Sequence, residues 1–284
     1  MNKQLDFILK GREKNIGEET VLQSLPHRDF RFANPFIVVH HFPEHHYAVG
    51  SPPERLHPHP HRGFAPVTFM FQGEGYHRDS EGNEGVLKAG EVQWMFAGRG
   101  LLHSEGPTPE LLAKGGNYEF VQLWVNVPAQ HKWNAPYYQQ ASAEQMPLLF
   151  QQPGCDIRLA SGQYREFTGP LQSFTPVISA FGNMKAGVQV ACEAQEGYWT
   201  LLYLLEGSIV VNDTSIEAYH LIVFSKQGTD IRIRATTDAK LLYLSAEPIN
   251  EPVAARGNIV MNTQEEVAQA EKDYADGKFG SLDS

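Results

Sequence analysis

The sequence predicts an all-β protein made of two β-barrels in tandem, and three observations support this fold class. First, apolar runs are short, rich in β-branched and aromatic residues, and end at turn residues, as at 67–71, 120–125 and 221–224. Such runs are typical of strands in antiparallel sandwiches or barrels. Second, apolar and charged side chains alternate over residues 231–235, which indicates a half-buried strand. Third, a strand-turn-strand pattern recurs in the two halves of the chain.

This internal repeat predicts two domains. Residues 70–73 align with residues 204–207, and each segment is an apolar strand end followed by a glycine turn. A repeat of this kind indicates that one structural unit occurs twice. We therefore predict an N-terminal barrel over residues 1–140 and a C-terminal barrel over residues 141–284, joined in the polar stretch 137–153.

One helix is predicted at the C-terminal end, over residues 262–276. Asn262 or Thr263 would cap its start, and the glutamates that follow favour the positive end of the helix dipole. The residues that recur at helical spacing in this C-terminal helix are Val267, Ala270 and Tyr274. A second, short helix is predicted near Ser142.

Composition limits the classes of protein to which the chain can belong. The net charge of -10 argues against direct binding to nucleic acid or to an anionic membrane, because phosphate binding needs clustered Lys and Arg. No apolar run reaches the roughly 18 residues of a transmembrane helix, and Met1–Arg12 lacks the apolar core of a signal peptide. The two cysteines stand outside any Cys-x-x-Cys motif, so we expect reduced thiols and a cytoplasmic location. A monomer is expected because two tandem barrels would cover part of one another's edge strands.

Histidines are concentrated in the first half of the chain, where nine of the 12 lie between His40 and His103. His59 and His61 stand two residues apart, as do His103 and Glu105. Residues i and i+2 of a strand point to the same face, so two such pairs on facing strands would bring three imidazoles and one carboxylate into one cavity. This set suits a divalent first-row metal, and its mixture of nitrogen and oxygen donors is typical of non-haem iron.

Other interpretations of these histidines stay open. A lone His-x-His pair is often part of a solvated turn, although the second pair of candidate ligands favours a metal site. His57 has the same strand parity as His59 and His61 and could replace one of them, but we expect it just outside the barrel. His77 is predicted on the surface or at the rim of the cavity.

Four neighbours of the candidate ligands could support the site. Arg62 or Arg99 could orient Glu105 by hydrogen bonding, with a surface ion pair of small energy as the alternative. Phe64 and Trp94 flank the ligands. They could line an apolar pocket, although aromatic residues in such segments more often belong to the core.

An ordered set of motifs resembles the pirin family of the cupin superfamily. The resemblance is dense over residues 34–128 and returns near the C-terminus. The motifs that carry it are His59–Phe64, Gly75–Ser80, Gly90–Met95, Ala97–Glu105, Ile259–Glu266 and Gly277–Gly280.

The resemblance implies a bicupin, in which two cupin-type β-barrels pack together and the N-terminal one holds the metal. It implies one divalent metal, Fe(II) first, with Mn, Co, Ni, Cu or Zn as alternatives. The residues matching the ligands of the family are His59, His61, His103 and Glu105.

One departure from the wider superfamily bears on the ligand set. General cupins carry a ligand glutamate three or four residues after the second histidine, where this chain has Ala65 and Pro66. The carboxylate is therefore assigned to Glu105, as in pirins. Many pirins have Glu-Thr at these two positions, so the polarity of the cavity is expected to differ here.

The internal repeat between the two halves of the chain predicts that only the first half binds a metal. Its alignment places Arg232 and Arg234 where His103 and Glu105 stand. Because arginine cannot bind a metal cation, the C-terminal barrel is predicted to lack a metal site.

The family resemblance implies two different functions. Several pirins oxidise the flavonol quercetin with dioxygen, whereas others act as transcriptional cofactors or bind metabolic enzymes. The first hypothesis is a metal-dependent dioxygenase that takes a small aromatic substrate, with Glu105 accepting the proton of its hydroxyl group. The alternative is a redox-sensing regulatory protein that binds a protein partner according to the oxidation state of the metal. A purely structural metal is disfavoured, because such sites are usually closed and often rich in cysteine.

Overall fold

The computed structural model describes residues 1–17 and 19–283, and it confirms the all-β fold class. Helices are few in the described residues: α1 (Pro109–Lys114), α2 (Gln264–Ala275) and two 3₁₀ turns, of which Ala143–Gln145 lies at the predicted short helix. None of the helices in that part of the chain has the length and apolar character needed to cross a bilayer.

Strands occupy most of the rest of the described chain. Those before the histidine pairs are β1 (Leu5–Lys10), β2 (Arg12–Ile16), β3 (Glu19–Leu25) and β4 (Phe36–Tyr47). Those that follow, up to residue 141, are β5 (Leu56–His61), β6 (Phe64–Gln72), β7 (Glu74–Asp79), β8 (Glu84–Lys88), β9 (Val92–Phe96), β10 (Leu101–Pro107), β11 (Gly116–Asn126) and β12 (Tyr137–Ala141). The remaining strands are β13 (Cys155–Ser161), β14 (Gln163–Tyr164), β15 (Phe167–Thr168), β16 (Val177–Met184), β17 (Gln189–Glu193), β18 (Trp199–Glu206), β19 (Ser208–Val211), β20 (Thr214–Glu217), β21 (His220–Phe224), β22 (Asp230–Ala235), β23 (Ala239–Ala246), β24 (Ala254–Arg256) and β25 (Ile259–Met261).

The chain divides into two compact units. The histidine unit comprises Ile16–Glu19, Phe42–Gln140 and Ile249–Ser284. The cysteine unit, which holds both cysteines, comprises Met1–Asn15, Thr20–His41 and Ala141–Pro248.

These units differ from the contiguous domains predicted at 1–140 and 141–284. A boundary between the units does fall at residues 140 and 141. However, most of residues 1–41 belong to the unit that contains residues 141–248, and residues 249–284 belong to the unit that contains residues 42–140. In the cysteine unit, β1 pairs with β21. In the histidine unit, Arg62 forms a parallel bridge with Ile259, just before the C-terminal helix. Long-range strand pairing of this kind leaves no local signal in composition or turn residues, which is why a single linker was predicted.

Each unit consists mainly of open sheets, so the predicted closed barrels are corrected. In the histidine unit, one sheet has the order β5-β10-β7-β8, and the other contains β12-β9-β6-β11 and the end of β4. Side chains of the two sheets meet, as in the hydrogen bond from Gln122 on β11 to Glu105 on β10. In the cysteine unit, the larger sheet has the order β1-β21-β18-β23-β16-β13 and the smaller β17-β22-β19-β20.

The alternation predicted for residues 231–235 is confirmed in strand β22. Ile231, Ile233 and Ala235 are buried, whereas Arg232 and Arg234 are exposed. The buried residues join a core that also contains Cys155 and Cys192. Alternation with a period of two residues produces a strand with one buried face and one solvent-exposed face.

Helix α2 confirms the predicted C-terminal helix. Thr263 is its N-cap, and the Thr263 side chain accepts a hydrogen bond from the backbone of Glu266 while Glu266 reaches back to Thr263. Val267 and Ala270 are buried, but Tyr274 is exposed and Asp273 is buried in its place. Apolar spacing cannot identify a buried carboxylate, and this one has a specific partner, described below.

We expect Thr263→Ala to lower the free energy of unfolding by about 1 kcal/mol, because the backbone N–H of Glu266 loses the hydroxyl that caps it. Denaturant unfolding followed by circular dichroism measures the change. Thr263→Ser keeps the hydroxyl and should stay close to the wild type. An equal loss in both variants would contradict the capping role.

Candidate metal site

The two histidine pairs lie on neighbouring antiparallel strands. His59 and His61 are on β5, and His103 and Glu105 are on β10. In the register of these strands, His103 stands opposite His59, and Leu101 stands opposite His61. The two i, i+2 pairs therefore lie on neighbouring strands of one sheet.

Three imidazoles converge between the sheets of the histidine unit. Nitrogen atoms of His59, His61 and His103 all lie within 4.8 Å of one another, and Nε2 of His61 is 2.9 Å from Nε2 of His103. Nδ1 of His59 bonds to the carbonyl oxygen of His57 at 2.8 Å, which leaves Nε2 of His59 with a lone pair. His57 itself is exposed, as predicted for a residue outside the cluster.

Burial favours the neutral form of two of the three imidazoles. Burial lowers the pKa of both His61 and His103 well below the usual histidine range, and the neighbouring His59 lowers it further. Nδ1 of His61 is buried and has no hydrogen-bond partner in the described chain, which is uncommon for a buried polar atom. Neutral nitrogen donors facing one point are what a divalent first-row metal requires, so the cluster fits such an ion.

Glu105 is buried beside the cluster, but its carboxylate is not among the atoms that converge. Its Oε1 accepts a hydrogen bond of 2.8 Å from Nε2 of Gln122. The ladder between β10 and β5 shifts register here, with the extra residue on β5, whereas β10 stays in regular register with β7 from His103 to Glu105. Of the four predicted ligands, the structure thus brings three together and holds the fourth nearby.

A hydrogen-bonded chain supports His103 from behind. His77, predicted on the surface or at the rim of the cavity, is buried at 2% exposure and lines the cavity described below. Its Nε2 lies 3.4 Å from Asp79 Oδ2, and its Nδ1 lies 3.5 Å from Nδ1 of His103 and 3.3 Å from Gln93 Nε2.

Asp79 determines which ring nitrogens of His77 and His103 carry protons. Burial alone would raise the pKa of Asp79, but hydrogen bonds from His77 and Asn83 hold it below its usual value. Ionised Asp79 can only accept, so His77 donates from Nε2 and accepts at Nδ1, and His103 donates from Nδ1. Nε2 of His103 is then left with a lone pair directed at the cluster, which is the form a metal ligand needs.

The arginines predicted to orient Glu105 do not do so. Arg62 is buried, and its guanidinium bonds to Asp273 and to the carbonyl oxygen of Arg99. Arg99 is exposed. Orientation of Glu105 comes instead from Gln122, and Nε1 of Trp124 holds Gln122 through its Oε1 at 3.1 Å.

Of the two predicted aromatic neighbours, Phe64 contacts the cluster. Its ring centre lies 5.3 Å from that of His61 and 4.4 Å from that of Trp124. Trp94 is buried in β9 opposite Val67, where it belongs to the core rather than to the site. Trp124 was missed, although a polar Gln122 two positions before it in a buried strand was a usable signal.

An open cavity of about 230 Å³ adjoins Glu105 and His77. Its wall combines apolar side chains with Glu105, His77 and several uncharged polar side chains. Burial raises the pKa of Tyr118, and the nearby Glu105 adds to this effect, so the Tyr118 hydroxyl stays protonated. The residues around the cavity are Thr68, Met70, Gly75, Tyr76, His77, Leu87, Gln93, Glu105, Tyr118 and Phe120.

Fold and site together define the class: an all-β protein with two cupin-like units and a three-histidine group able to bind a metal. Residues 17–125 match the family model described as Pirin, and residues 181–280 match the Pirin C-terminal cupin domain. Pirin-1 of Arabidopsis thaliana is 32% identical over 279 residues, which cover 96% of this chain and 93% of that protein. The chain belongs to the pirin family, as its motifs indicated.

Solved structures agree with this assignment. A crystal structure named quercetin 2,3-dioxygenase, from Acinetobacter baumannii, is 34% identical, covers 100% of both chains and superposes with a TM-score of 0.93. Bacterial pirin YhhW from Escherichia coli, solved in complex with nickel(II), is 18% identical with a TM-score of 0.67 over 86% of this chain and 99% of that one. At that identity, the second comparison supports the fold alone.

Proposed function

We propose that the chain is a metal-dependent dioxygenase that acts on a flavonol such as quercetin. The observation that carries the proposal is the cluster of three imidazoles, two of them buried, beside a cavity whose wall includes Glu105. The quercetin 2,3-dioxygenase structure from Acinetobacter baumannii, alike over the full length of both chains, supports the same reaction.

The proposed metal is Fe(II), held by His59, His61, His103 and Glu105. Three nitrogen donors and one oxygen donor suit Fe(II), and they also accept neighbouring first-row ions. Gln122 bonds to Oε1 of Glu105, so Oε2 is the oxygen proposed to turn to the metal. Four protein ligands leave at least one position of a five- or six-coordinate ion for other molecules.

In the proposed reaction, Glu105 loosens as a ligand and takes the proton of the flavonol 3-hydroxyl on Oε2, while Gln122 keeps Oε1 in place. Phe64 and Trp124 cover His61 and exclude water from the reacting carbon atoms. A bound divalent metal supplies Lewis acidity and the electron exchange that dioxygen activation needs. The flavonol and one dioxygen give the ring-opened ester and carbon monoxide, so atoms and electrons balance.

The shape of the cavity bears on how the substrate binds. Its volume of about 230 Å³ includes open solvent, so the cavity is a shallow depression rather than an enclosed pocket. We therefore propose that the flavonol lies across the mouth of this depression, with its 3-hydroxyl toward Glu105. Ala65, at the position of a glutamate in many pirins, is buried, pairs with Val125 and adds no charge.

We further propose that the protein works in the reducing cytoplasm. Cys155 and Cys192 are both free and buried. Burial raises the pKa of Cys155 to about 11 and that of Cys192 to about 12, so both thiols stay protonated near neutral pH. Protonated, buried thiols do not need an oxidising compartment.

Oxygen uptake with quercetin tests the proposed function. The protein is reconstituted with Fe(II) without air, and uptake is then measured for the wild type, His103→Ala and His57→Ala. His103→Ala removes a converging imidazole and should abolish uptake. His57→Ala changes an exposed histidine on the same strand and should keep the wild-type rate. Equal uptake by the wild type and His103→Ala would overturn the proposal.

A further inference from the structure

Arg62 follows the ligand His61 directly, but its side chain leaves the cluster and joins helix α2. Its Nη1 donates to Oδ2 of Asp273 at 2.8 Å, and the two side chains are only 4% and 9% exposed. A buried ion pair costs desolvation, so it persists only with good geometry and further hydrogen bonds. This pair has both.

The same guanidinium also reaches the second ligand strand. Nε of Arg62 donates to the carbonyl oxygen of Arg99. Arg99 lies two positions before β10 begins, and β10 carries His103. One planar side chain therefore joins the end of β5, the loop that leads into β10, and helix α2. A lysine could not make these bonds in two fixed directions.

The aromatic rings of Phe279 and Trp133 pack against the guanidinium group of Arg62. Cζ of Arg62 lies 4.6 Å from the centre of the Phe279 ring and 5.0 Å from that of Trp133. Gly100 adopts φ +123, and a Cβ added there would lie 2.6 Å from the Phe279 ring. The loop before β10 is thus closed tightly against Phe279, which is buried at 2% exposure.

Asp273 is itself held from two further directions. Lys278 donates to its Oδ1 at 2.7 Å, and Gln269 donates to the same oxygen at 2.8 Å. Oδ2 is left for Arg62. These contacts explain why helix α2 buries a carboxylate where apolar spacing predicted Tyr274.

We propose that this Arg62 clamp (Arg62, the Arg99 carbonyl, Asp273 and Phe279) positions the histidine cluster, so that helix α2 sets the metal affinity of ligands some 200 residues earlier in the chain. Arg62 and Asp273 are positioning residues that do not touch the metal. The inference rests on the proposed binding of a metal by the cluster, and not on the reaction that follows.

Metal affinity is the measurement that tests the clamp. Dissociation constants of Ni(II) and Co(II) are determined by competition with a chelator, and the visible spectrum of bound Co(II) reports the ligand geometry. We expect Asp273→Asn to weaken binding by about 10- to 100-fold, the range seen when residues that orient metal ligands are changed. The Co(II) spectrum should change with it.

A double variant separates positioning from stability. Asp273→Asn leaves Arg62 charged and buried, which can unfold the protein. Arg62→Met combined with Asp273→Leu removes both charges, and apolar replacement of a buried ion pair is often neutral for stability. This variant should fold and still bind metal about 10-fold or more weakly. Glu271→Gln, which breaks the exposed pair of α2 with Arg256, is the control and should bind as the wild type does.

Wild-type affinity and an unchanged Co(II) spectrum in the folded double variant would overturn the clamp. A wild type that binds metal without oxidising quercetin would overturn the proposed function alone, and weaker binding by the variants would still support the clamp. A wild type that binds neither ion would overturn the clamp together with the metal site.

Discussion

Glu105→Gln is expected to lower the rate of oxygen uptake with quercetin by a factor of about 10² to 10⁴, the contribution typical of a positioned general base. The amide has the same shape as the carboxylate, and its oxygen can still accept the hydrogen bond from Gln122. What it loses is the negative charge that would take the proton of the 3-hydroxyl. The loss should therefore fall mainly on kcat.

Metal content distinguishes the two roles proposed for Glu105. Because His59, His61 and His103 converge without the carboxylate, Glu105→Gln should keep bound metal when analysed for elements after purification. Glu110→Gln, at an exposed carboxylate in α1, is the matched control and should keep the full rate. Full oxygen uptake by Glu105→Gln would show that the carboxylate is not the base.

The histidine cluster could be predicted because strand geometry is local. Alternation along a strand fixes that His59 and His61 share a face, as His103 and Glu105 do. Two such pairs therefore sufficed to predict one site. The position of the Glu105 carboxylate could not be predicted, since it depends on a hydrogen bond from Gln122 in another sheet.

The buried polar side chains that support the site could not be predicted from the sequence. His77 and Asp79 read as a polar strand end, yet both are buried behind His103. Arg62 read as a neighbour of Glu105, and its partner Asp273 lies on a helix far along the chain. Whether a charged side chain is solvated or buried depends on contacts between distant segments, and periodicity carries no information about them.

The fold class could be predicted from the sequence, whereas the domain boundaries could not. Short runs that end at turns sufficed to predict an all-β chain, and capping residues with helical spacing sufficed to predict helix α2. The exchange of chain ends between the units needed the pairing of β1 with β21 and the bridge from Arg62 to Ile259. These pairings decide which residues support the metal site, because the bridge brings α2 to the ligand strands.

A buried lysine beside the same strands leads to the second large prediction. Nζ of Lys132 donates to the carbonyl oxygens of Gly63 and Val260 and to Oδ1 of Asn126, at 2.7, 3.0 and 2.6 Å. Burial lowers the pKa of Lys132 to about 7, although the charges of Glu251 and Glu266 oppose the change. Unfolded lysine has a pKa of about 10.4.

This difference makes stability depend on pH with a definite sign. Between the two pKa values the unfolded chain binds the proton of Lys132 and the folded chain does not, so stability rises with pH. The contribution is complete above the unfolded pKa and is lost as pH falls through about 7. Each pH unit in this window is worth about 1.4 kcal/mol.

We therefore expect the difference in free energy of unfolding between the wild type and Lys132→Met to shift by about 2–3 kcal/mol in favour of the wild type from pH 7 to pH 9. Other titrating groups are common to both proteins and cancel in the difference. Denaturant unfolding followed by tryptophan fluorescence is the measurement, since Trp94, Trp124 and Trp133 lie in the histidine unit. Lys114→Met, at an exposed lysine, should show no such shift. A difference that stays constant with pH would mean that the three acceptor oxygens keep Lys132 charged in the folded protein.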